Sequence, residues 1–554
     1  LLAPVLLFLG SSHAMATVLL AEDFESAVPP TGWTRTQQVP SVGWEFGTDL
    51  GSSYFVIPAH TRYAASNDDA HDDSNHTLND ASADRLITPV INLSGFSGQA
   101  VRLKFAYLQS GAYGSIGTVE VSLNGGAFAQ IAQVPSLAPV EQWSTQNLSL
   151  SAYVGQSNVR IAFRHNDGGN WADGFAIDDV LIETVPARDA AMVGIGGPAY
   201  IATGVSPVFA RISNQGGDFI NSLGYAYSVD GGTVQSATVS PPGGIPPGTE
   251  VELELLGYNF ATSGDHIVQL MVTSVNGGAD QNSANDEAQG VVRVLSQVPQ
   301  KRVVLEQHTG SWCGWCPDGT VVFEQAQGLG SAVIGVSIHN GDAMATAEGD
   351  QVANAFTSAY PTGTVDRTPA EGTTEVIMSR GSWLANVSQR LQAVVPASVQ
   401  LLNVSYDAGI RQITATTQAA FYGSDGGDLR LNLWVVEDGV TGANSGYNQV
   451  NYLDSEVGHP FFGAGNPIVG FVHDGVVRAM LGGAWGTAGV IPMSVADGGT
   501  YSTTYQYTLG PDQIPERIRL VGVLSRYGAG IDQREIINAT QQRLLIDVFA
   551  NGFE

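Results

Sequence analysis

The chain carries two cysteines in 554 residues, Cys313 and Cys316, separated only by Gly314 and Trp315. No covalent cross-link can tie distant parts of it together, so every domain must close a hydrophobic core of its own. The CxxC spacing is itself a redox pattern. The segment Glu306-Gln307-His308-Thr309-Gly310-Ser311-Trp312-Cys313-Gly314-Trp315-Cys316-Pro317 lies between a compact strand, Val303-Val304-Leu305, and a helix-like run from Val321 to Ala326. Thiols at a helix N-terminus feel its dipole and its free N–H groups, both of which favour negative charge. On this reading Cys313 is the exposed nucleophile with a lowered pKa, and Cys316, inside the first turn, resolves a mixed disulfide. Pro317 costs the helix little, because first-turn N–H groups lack partners anyway. Two other readings stay open. One is a static disulfide that staples the strand–helix turn, as an oxidising compartment favours. The other is a metal site, for which one CxxC supplies two of the four ligands zinc wants.

Charge narrows the partners. Twenty-three basic residues face 52 acidic ones, a net charge of −29. Such a chain is a poor partner for phosphate backbones or anionic lipid, which excludes nucleic acid. Clustered carboxylates make divalent cations plausible ligands. Charged residues are only 14% of the chain and glycines number 67, a composition of short strands and many turns.

The first residues, Leu1 to Gly10 followed by Ala14-Met15-Ala16, match a secretory signal peptide that lacks its basic start, so the mature chain is expected from Thr17. No stretch reaches about 18 uninterrupted apolar residues, and no transmembrane helix is expected. Residues 17–186 alternate with period two. Val101, Leu103, Phe105 and Tyr107 form one set, and Val119, Val121 and Leu123 run into the turn Asn124-Gly125, a β-sandwich or jelly-roll pattern. Residues 187–296 read as an Ig-like β-sandwich spacer with a hairpin at Asp230-Gly231. From 297 to 395 strands and helices alternate as in an α/β layer, with a second helix from Asp350 to Tyr360 and a third that Ser382 caps. Residues 396–545 return to β, with Leu429, Leu431 and Leu433 alternating and a hairpin signal at Phe471 to Val477; 546–554 is a short tail. The fold class expected is multidomain and mainly β, with one α/β domain.

Family resemblances sharpen this. Ala21 to Glu25, Gly32-Trp33, Trp44 to Gly47 and Gly174 to Val180 resemble the MAM-like choice-of-anchor J, or cleaved-adhesin, jelly roll of secreted bacterial proteins. That resemblance implies glycan or surface binding and structural calcium, with Asp23, Glu25, Asp178 and Asp179 as ligands. The acidic segment Asn67 to Asp73, continuing to Asp80 and Asp84, is a second calcium candidate or a solvated loop. The CGWC stretch with Trp312 before it resembles thioredoxin-fold proteins, and Tyr360-Pro361-Thr362 falls where that fold places its cis-proline beside the disulfide. Further motifs, Ile338 to Asp342, Tyr360 to Arg367, Val435 to Gly439 and His473 to Ala479, resemble the outer-membrane-protein-28-related family over residues 301–545. That resemblance implies an exported thioredoxin-like core with an attached β domain. His308 stands where the family often has an aromatic residue, a place from which it would tune Cys313. Lone histidines such as His339, His459 and His473 read as hydrogen-bonded structural residues.

The function expected is a thiol–disulfide module, with Cys313, Cys316 and Pro361 as its catalytic set and Trp312, Trp315, Tyr360 and His308 around it, joined to a binding module. It needs no cofactor for its redox chemistry, and its partners are a protein thiol or disulfide and a glycan or surface protein. The alternative is a surface adhesin in which the disulfide is structural. Export to the periplasm, outer membrane or medium of a Gram-negative bacterium fits both.

Overall fold

The computed structural model describes residues 17–26, 29–36, 43–71, 83–97, 99–137, 142–169, 171–357, 359–370 and 373–545. The leader expected at 1–16, residues 72–82 of the acidic segment and the tail at 546–554 lie outside them. The protein is multidomain and mainly β, with one small helical region. Its contacts divide it into two compact units: residues 1–197, 207–256 and 267–290, and residues 198–206, 257–266 and 291–554.

In the first unit two antiparallel sheets enclose one core. One sheet runs in the order Trp44–Gly47, Tyr63–Asn67, Gly174–Val185, Ala100–Leu108, Ser144–Ser149, with Val18–Glu22 also paired to Gly174–Val185. The other runs Thr34–Thr36, Ala83–Ile87, Val159–Asn166, Ile116–Leu123, Ala129–Gln133. The alternating set Val101, Leu103, Phe105 and Tyr107 from the first meets Val119, Val121, Ile161 and Phe163 from the second. Asn124 and Gly125 both take positive φ at the hairpin after Leu123, and so do Asp230 and Gly231 between Leu223–Val229 and Gln235–Val239. That is the backbone a two-residue hairpin turn demands, and the reason such pairs mark it. The remaining strands of this unit include Ala190–Ile195 against Gly204–Asn214 and Leu223–Val229 against Gly264–Val275.

The second unit holds the disulfide. The strands and helices around it are β1 (Val303–Thr309), α1 (Cys316–Gln327), β2 (Val333–His339), α2 (Ala347–Phe356), β3 (Thr362–Val365), β4 (Met378–Ser379), α3 (Trp383–Arg390), β5 (Ala397–Asp407), β6 (Gln412–Phe421), β7 (Asp428–Glu437), β8 (Val476–Met480), β9 (Thr500–Thr508), β10 (Ile518–Tyr527) and β11 (Ile536–Arg543), with shorter strands elsewhere in the unit. The first four strands stand in the order β4-β3-β1-β2, with β1 and β2 parallel and β3 antiparallel to β1. Side-chain alternation in β1 sends Val303 and Leu305 to one face, against Phe323 of α1 and Trp383 and Val387 of α3. It sends Val304 to the other face, against Val352, Ala353 and Phe356 of α2. This is a thioredoxin-like core.

The sheet does not stop where the sequence placed a domain boundary, between residues 395 and 396. β8, β7, β10 and β11 continue it beyond β2 to make eight strands. The core on the α2 face runs on through Trp434, Val436, Val521, Val523 and Ile536. On the other face Leu429 and Leu431 of β7 pack with Ala397 and Phe421 of the three-stranded sheet β5-β6-β9, and Leu433 packs with Ile413 and Tyr505 of the same sheet. The β layers of 396–545 thus share their larger sheet with the thioredoxin-like core. The hairpin expected at 471–477 is also different. β8 pairs with β7, and the intervening residues 438–475 form a long strap closed at its base by paired hydrogen bonds between Val440 and His473. α2 begins at Ala347, earlier than expected, because the Thr346 hydroxyl accepts the Gly349 N–H. Ser382 precedes α3 but makes no side-chain cap.

Candidate functional site

Cys313 and Cys316 form a disulfide, with Cα atoms 5.4 Å apart, between the end of β1 and the first turn of α1. Cys316 is the first helical residue, Trp315 the N-cap and Pro317 the next in line. The Tyr360–Pro361 peptide is cis, and Pro361 abuts the helix: a Cβ added at Gly319 would meet it at 2.9 Å. Trp312 and Trp315 are each 45% exposed on either side of Cys313. Trp312 stacks edge-on with Tyr360 and donates its Nε1–H to the Asn340 carbonyl at 2.7 Å. Trp315 meets Tyr452 of the strap. Cys313 is not the exposed nucleophile the sequence suggested: it is 5% exposed and Cys316 1%.

The loop that carries the disulfide is held from two sides. From the turn after β2, Asp342 accepts the Ser311 N–H at 2.8 Å on the oxygen that also faces His339 Nδ1 at 2.7 Å. Burial works to raise the Asp342 carboxyl, but His339 and the Ser311 and Met344 N–H groups outweigh it and hold the group below the usual range. From the strap, the Val450 N–H donates to Ser311 O at 2.7 Å, the Tyr452 N–H to Gly314 O at 2.9 Å, and the Gln449 side chain to Cys313 O at 2.8 Å. At the start of α1, Arg380 and His459 pair with Asp318. Burial works against that carboxylate too, and Arg380, with the His459 hydrogen bond, holds its pKa low. His473 packs edge-on against His339 and faces Tyr447 O at 2.9 Å. Burial first, then the neighbouring His339, push it down to about 4. Beneath the loop a cavity of about 20 Å³ is lined by Gln307, Thr320, His339, Gln449 and His473, large enough for one water.

His308 lies elsewhere than expected. It is fully buried next to Phe356 of α2, on the face of the sheet opposite α1 and the disulfide, so it cannot act on Cys313 directly. Its neighbour two residues earlier, Glu306, is bound bidentately by Arg367 and receives the Thr364 hydroxyl, all three groups buried. Sequence reasoning did not find Gln449, Val450 or Tyr452, which stand more than 130 residues from the cysteines and carry no local signature. Asp342 was inside a quoted motif but had no role assigned.

A comparison with protein families places the C-terminal part. The family described as Outer membrane protein Omp28 matches residues 349–545. The C-terminal module is related to Omp28. The matched stretch begins beyond the disulfide and leaves the first unit untouched. No curated protein matches the chain. Among solved structures the chain is similar to HBP35 of Porphyromonas gingivalis, at 22% identity over 44% of this chain and 76% of that one, with a TM-score of 0.35. It is similar to the CARDB domain of PF1109 from Pyrococcus furiosus at 20% identity over 20% and 89%, TM-score 0.16. It is also similar to the family 22 carbohydrate binding module of Clostridium thermocellum Xyn10B at 12% identity over 30% and 92%, TM-score 0.20. Nothing about ligand or activity follows from these structural likenesses.

In the first unit the carboxylates expected for calcium flank one strand pairing. Glu22↔Val180 is the last register pair of its strand ladder, so Asp23 and Glu25 follow it in the loop after Val18–Glu22, and Asp178 and Asp179 border it within Gly174–Val185. Asp178 is fully buried, accepts the Asp179 N–H and faces His60 Nδ1 at 2.9 Å. Burial, then the charges of Asp179, Glu25 and Asp23, push it up to about 7 against the pull of that N–H. Glu25 accepts the Arg62 N–H. Among the described residues no group of three or more His, Cys, Asp or Glu side chains is arranged to hold a metal ion. In the acidic segment Asp68 and Asp84 are buried, not part of a solvated loop. Asp68 accepts the Ala172 N–H. No helix among the described residues is long and apolar enough to cross a membrane.

Proposed function

We propose that residues 297–545 form a thiol–disulfide exchange module, exported and outer-membrane-associated in a Gram-negative bacterium, and tethered to a jelly-roll binding module in residues 17–186 by an Ig-like spacer in 187–296. The observation that carries the redox part is the disulfide at the N-terminus of α1, on a thioredoxin-like sheet, between two half-exposed tryptophans. With the pair reduced, the Cys313 thiolate attacks a substrate disulfide and releases one substrate thiolate; Cys316 then attacks the Cys313 sulfur, releases the second substrate thiolate and closes the Cys313–Cys316 disulfide, while Pro361 positions the partner strand. The location is supported by the Omp28 match. Equilibration of the mature protein in glutathione buffers tests the redox reading. A potential between about −120 and −270 mV, with exchange abolished in Cys313→Ser, supports it; one below about −300 mV marks a structural bond.

One observation favours the second reading, a surface adhesin with a structural disulfide: both cysteines are buried and their loop is pinned on two sides. Glycan and surface-protein binding by the full chain, with and without chelator, separates the two. Structural calcium at Asp23, Glu25, Asp178 and Asp179 belongs to the binding module, supported by the crowding of carboxylates about one buried Asp178. A calcium titration without heat and without a rise in unfolding temperature removes it.

A further inference from the structure

We propose that Gln449, on the strap between β7 and β8, is a positioning residue for the Cys313–Cys316 pair. The inference rests on the thiol–disulfide reading above. Gln449 is 2% exposed. Its Nε2 lies 2.8 Å from Cys313 O, 3.2 Å from Gly310 O, 3.3 Å from Ser311 O and 3.2 Å from its neighbour Val450 O. Two N–H bonds thus serve a ring of carbonyl oxygens that converge from the loop bearing the first cysteine. The best of them belongs to Cys313 itself. Each of the three loop carbonyls also receives a backbone N–H, Gly310 O from Cys313, Ser311 O from Val450 and Cys313 O from Cys316; the amide adds the one donor group that all three share, and its loss removes that common anchor from a buried site.

The amide is itself fixed. The Gln449 backbone exchanges hydrogen bonds with Ile468 across the strap, and the Val450 and Tyr452 N–H groups dock on Ser311 O and Gly314 O on either side. Every carbonyl of residues 310–314 except that of Trp312 therefore meets a donor from the strap.

The consequence is redox-specific. In exchange with glutathione the Cys313–Cys316 bond breaks, and the two sulfurs take up two electrons and two protons. Two glutathione thiols supply them and become one glutathione disulfide. When the bond is open, only the fixed loop keeps Cys313 within reach of Cys316. Gln449 therefore raises the effective concentration of one thiol at the other and favours the oxidised pair.

The test is the full chain with Gln449→Met, which keeps the length and loses both N–H donors, and Gln449→Asn, which keeps the amide one methylene short. The expected result is a fall of at least about tenfold in the equilibrium constant for forming the disulfide with Gln449→Met, a rise of about 30 mV, with Gln449→Asn in between. Unfolding midpoints of both redox forms are measured alongside. The proposal requires the oxidised form to lose more than the reduced one; equal losses with an unmoved potential overturn it. Should Gln449→Met not fold, Gln449→Asn carries the same test. A wild-type pair that fails to exchange with glutathione removes the thiol–disulfide reading. A wild-type pair that exchanges, with an unshifted variant, removes Gln449 alone.

Discussion

Gly319 of α1 stands against Pro361 with no room for a side chain: a Cβ there would sit 2.9 Å from the proline Cβ and 3.0 Å from Gln307 Nε2. Helix propensity alone would favour alanine at this position by about 1 kcal/mol. Overpacking against the proline ring costs about 1–3 kcal/mol, and it should win. Gly319→Ala is expected to lower the denaturant midpoint of the second unit and to slow thiol–disulfide exchange, since the helix must retreat from Pro361. A variant as stable and as active as the parent would show that the contact is loose.

Removing one partner of the Glu306–Arg367 pair should be costly to the second unit, whatever the intact pair contributes net of desolvation. Both side chains are buried and joined by two short hydrogen bonds. Breaking such a pair leaves an uncompensated buried charge, at about 3–5 kcal/mol. Glu306→Gln should destabilise by that order in chemical denaturation at pH 7. Burial opposes the Glu306 charge, but Arg367 and Thr364 hold its pKa below the ordinary value of 4.5. The unfolded chain takes up this proton first, so the stabilisation is complete above about pH 4.5 and is lost as pH falls below it. The acid limb of the wild-type stability curve should therefore flatten in the variant.

His308 works in the opposite sense. It is fully buried, neither ring nitrogen has a hydrogen-bond partner among the described residues, and burial pushes its pKa down to about 4 from 6.5. The folded state keeps the ring neutral while the unfolded chain binds a proton below pH 6.5. Stability is full above pH 6.5 and falls as pH drops towards 4, by about 3 kcal/mol in all. His308→Phe, beside Phe356, should raise the unfolding midpoint and remove this part of the pH response. A variant whose midpoint still falls as steeply between pH 6.5 and 4 would exclude His308 as the source.

Trp312 and Trp315 offer half their surface to solvent beside a buried disulfide, so their removal should be felt by substrate more than by the fold. Trp315→Ala is expected to shift stability by less than about 1 kcal/mol. It should slow exchange with a peptide disulfide by about tenfold, ~1.4 kcal/mol, relative to exchange with dithiothreitol. Equal slowing with both reagents would assign the tryptophans a purely structural part.

The sequence was most legible where chemistry and geometry are local. Period-two alternation in Val101 to Tyr107 and in Leu429 to Leu433 identified strands and their inward faces, because strand side chains alternate whatever the tertiary context. Asn124-Gly125 and Asp230-Gly231 marked turns because few other pairs tolerate two positive φ values. The CxxC marked the strand–helix junction for the same local reason. What the sequence hid is relational. Nothing in Val476 or Val477 says that their strand joins the sheet beside β2, nor that the chain before them spans the disulfide loop. His308 misled because its position two residues from the Gly310 loop says nothing about which face of β1 it takes; alternation places it with Glu306 and Val304, away from α1.

The two halves of the eight-stranded sheet meet along a very narrow seam. β2 and β8 share the single register pair Ser337↔Val476, reinforced by Ser337 Oγ on Asp474 O and by the Arg519 guanidinium on Gly335 O. The strap leaves the sheet at the end of β7 and returns immediately before that pair. A segment so placed can lengthen, shorten or change composition while the ladders on either side keep their register. Evolution thus has a graft point beside the disulfide, where new surface can be tried without refolding the scaffold beneath it.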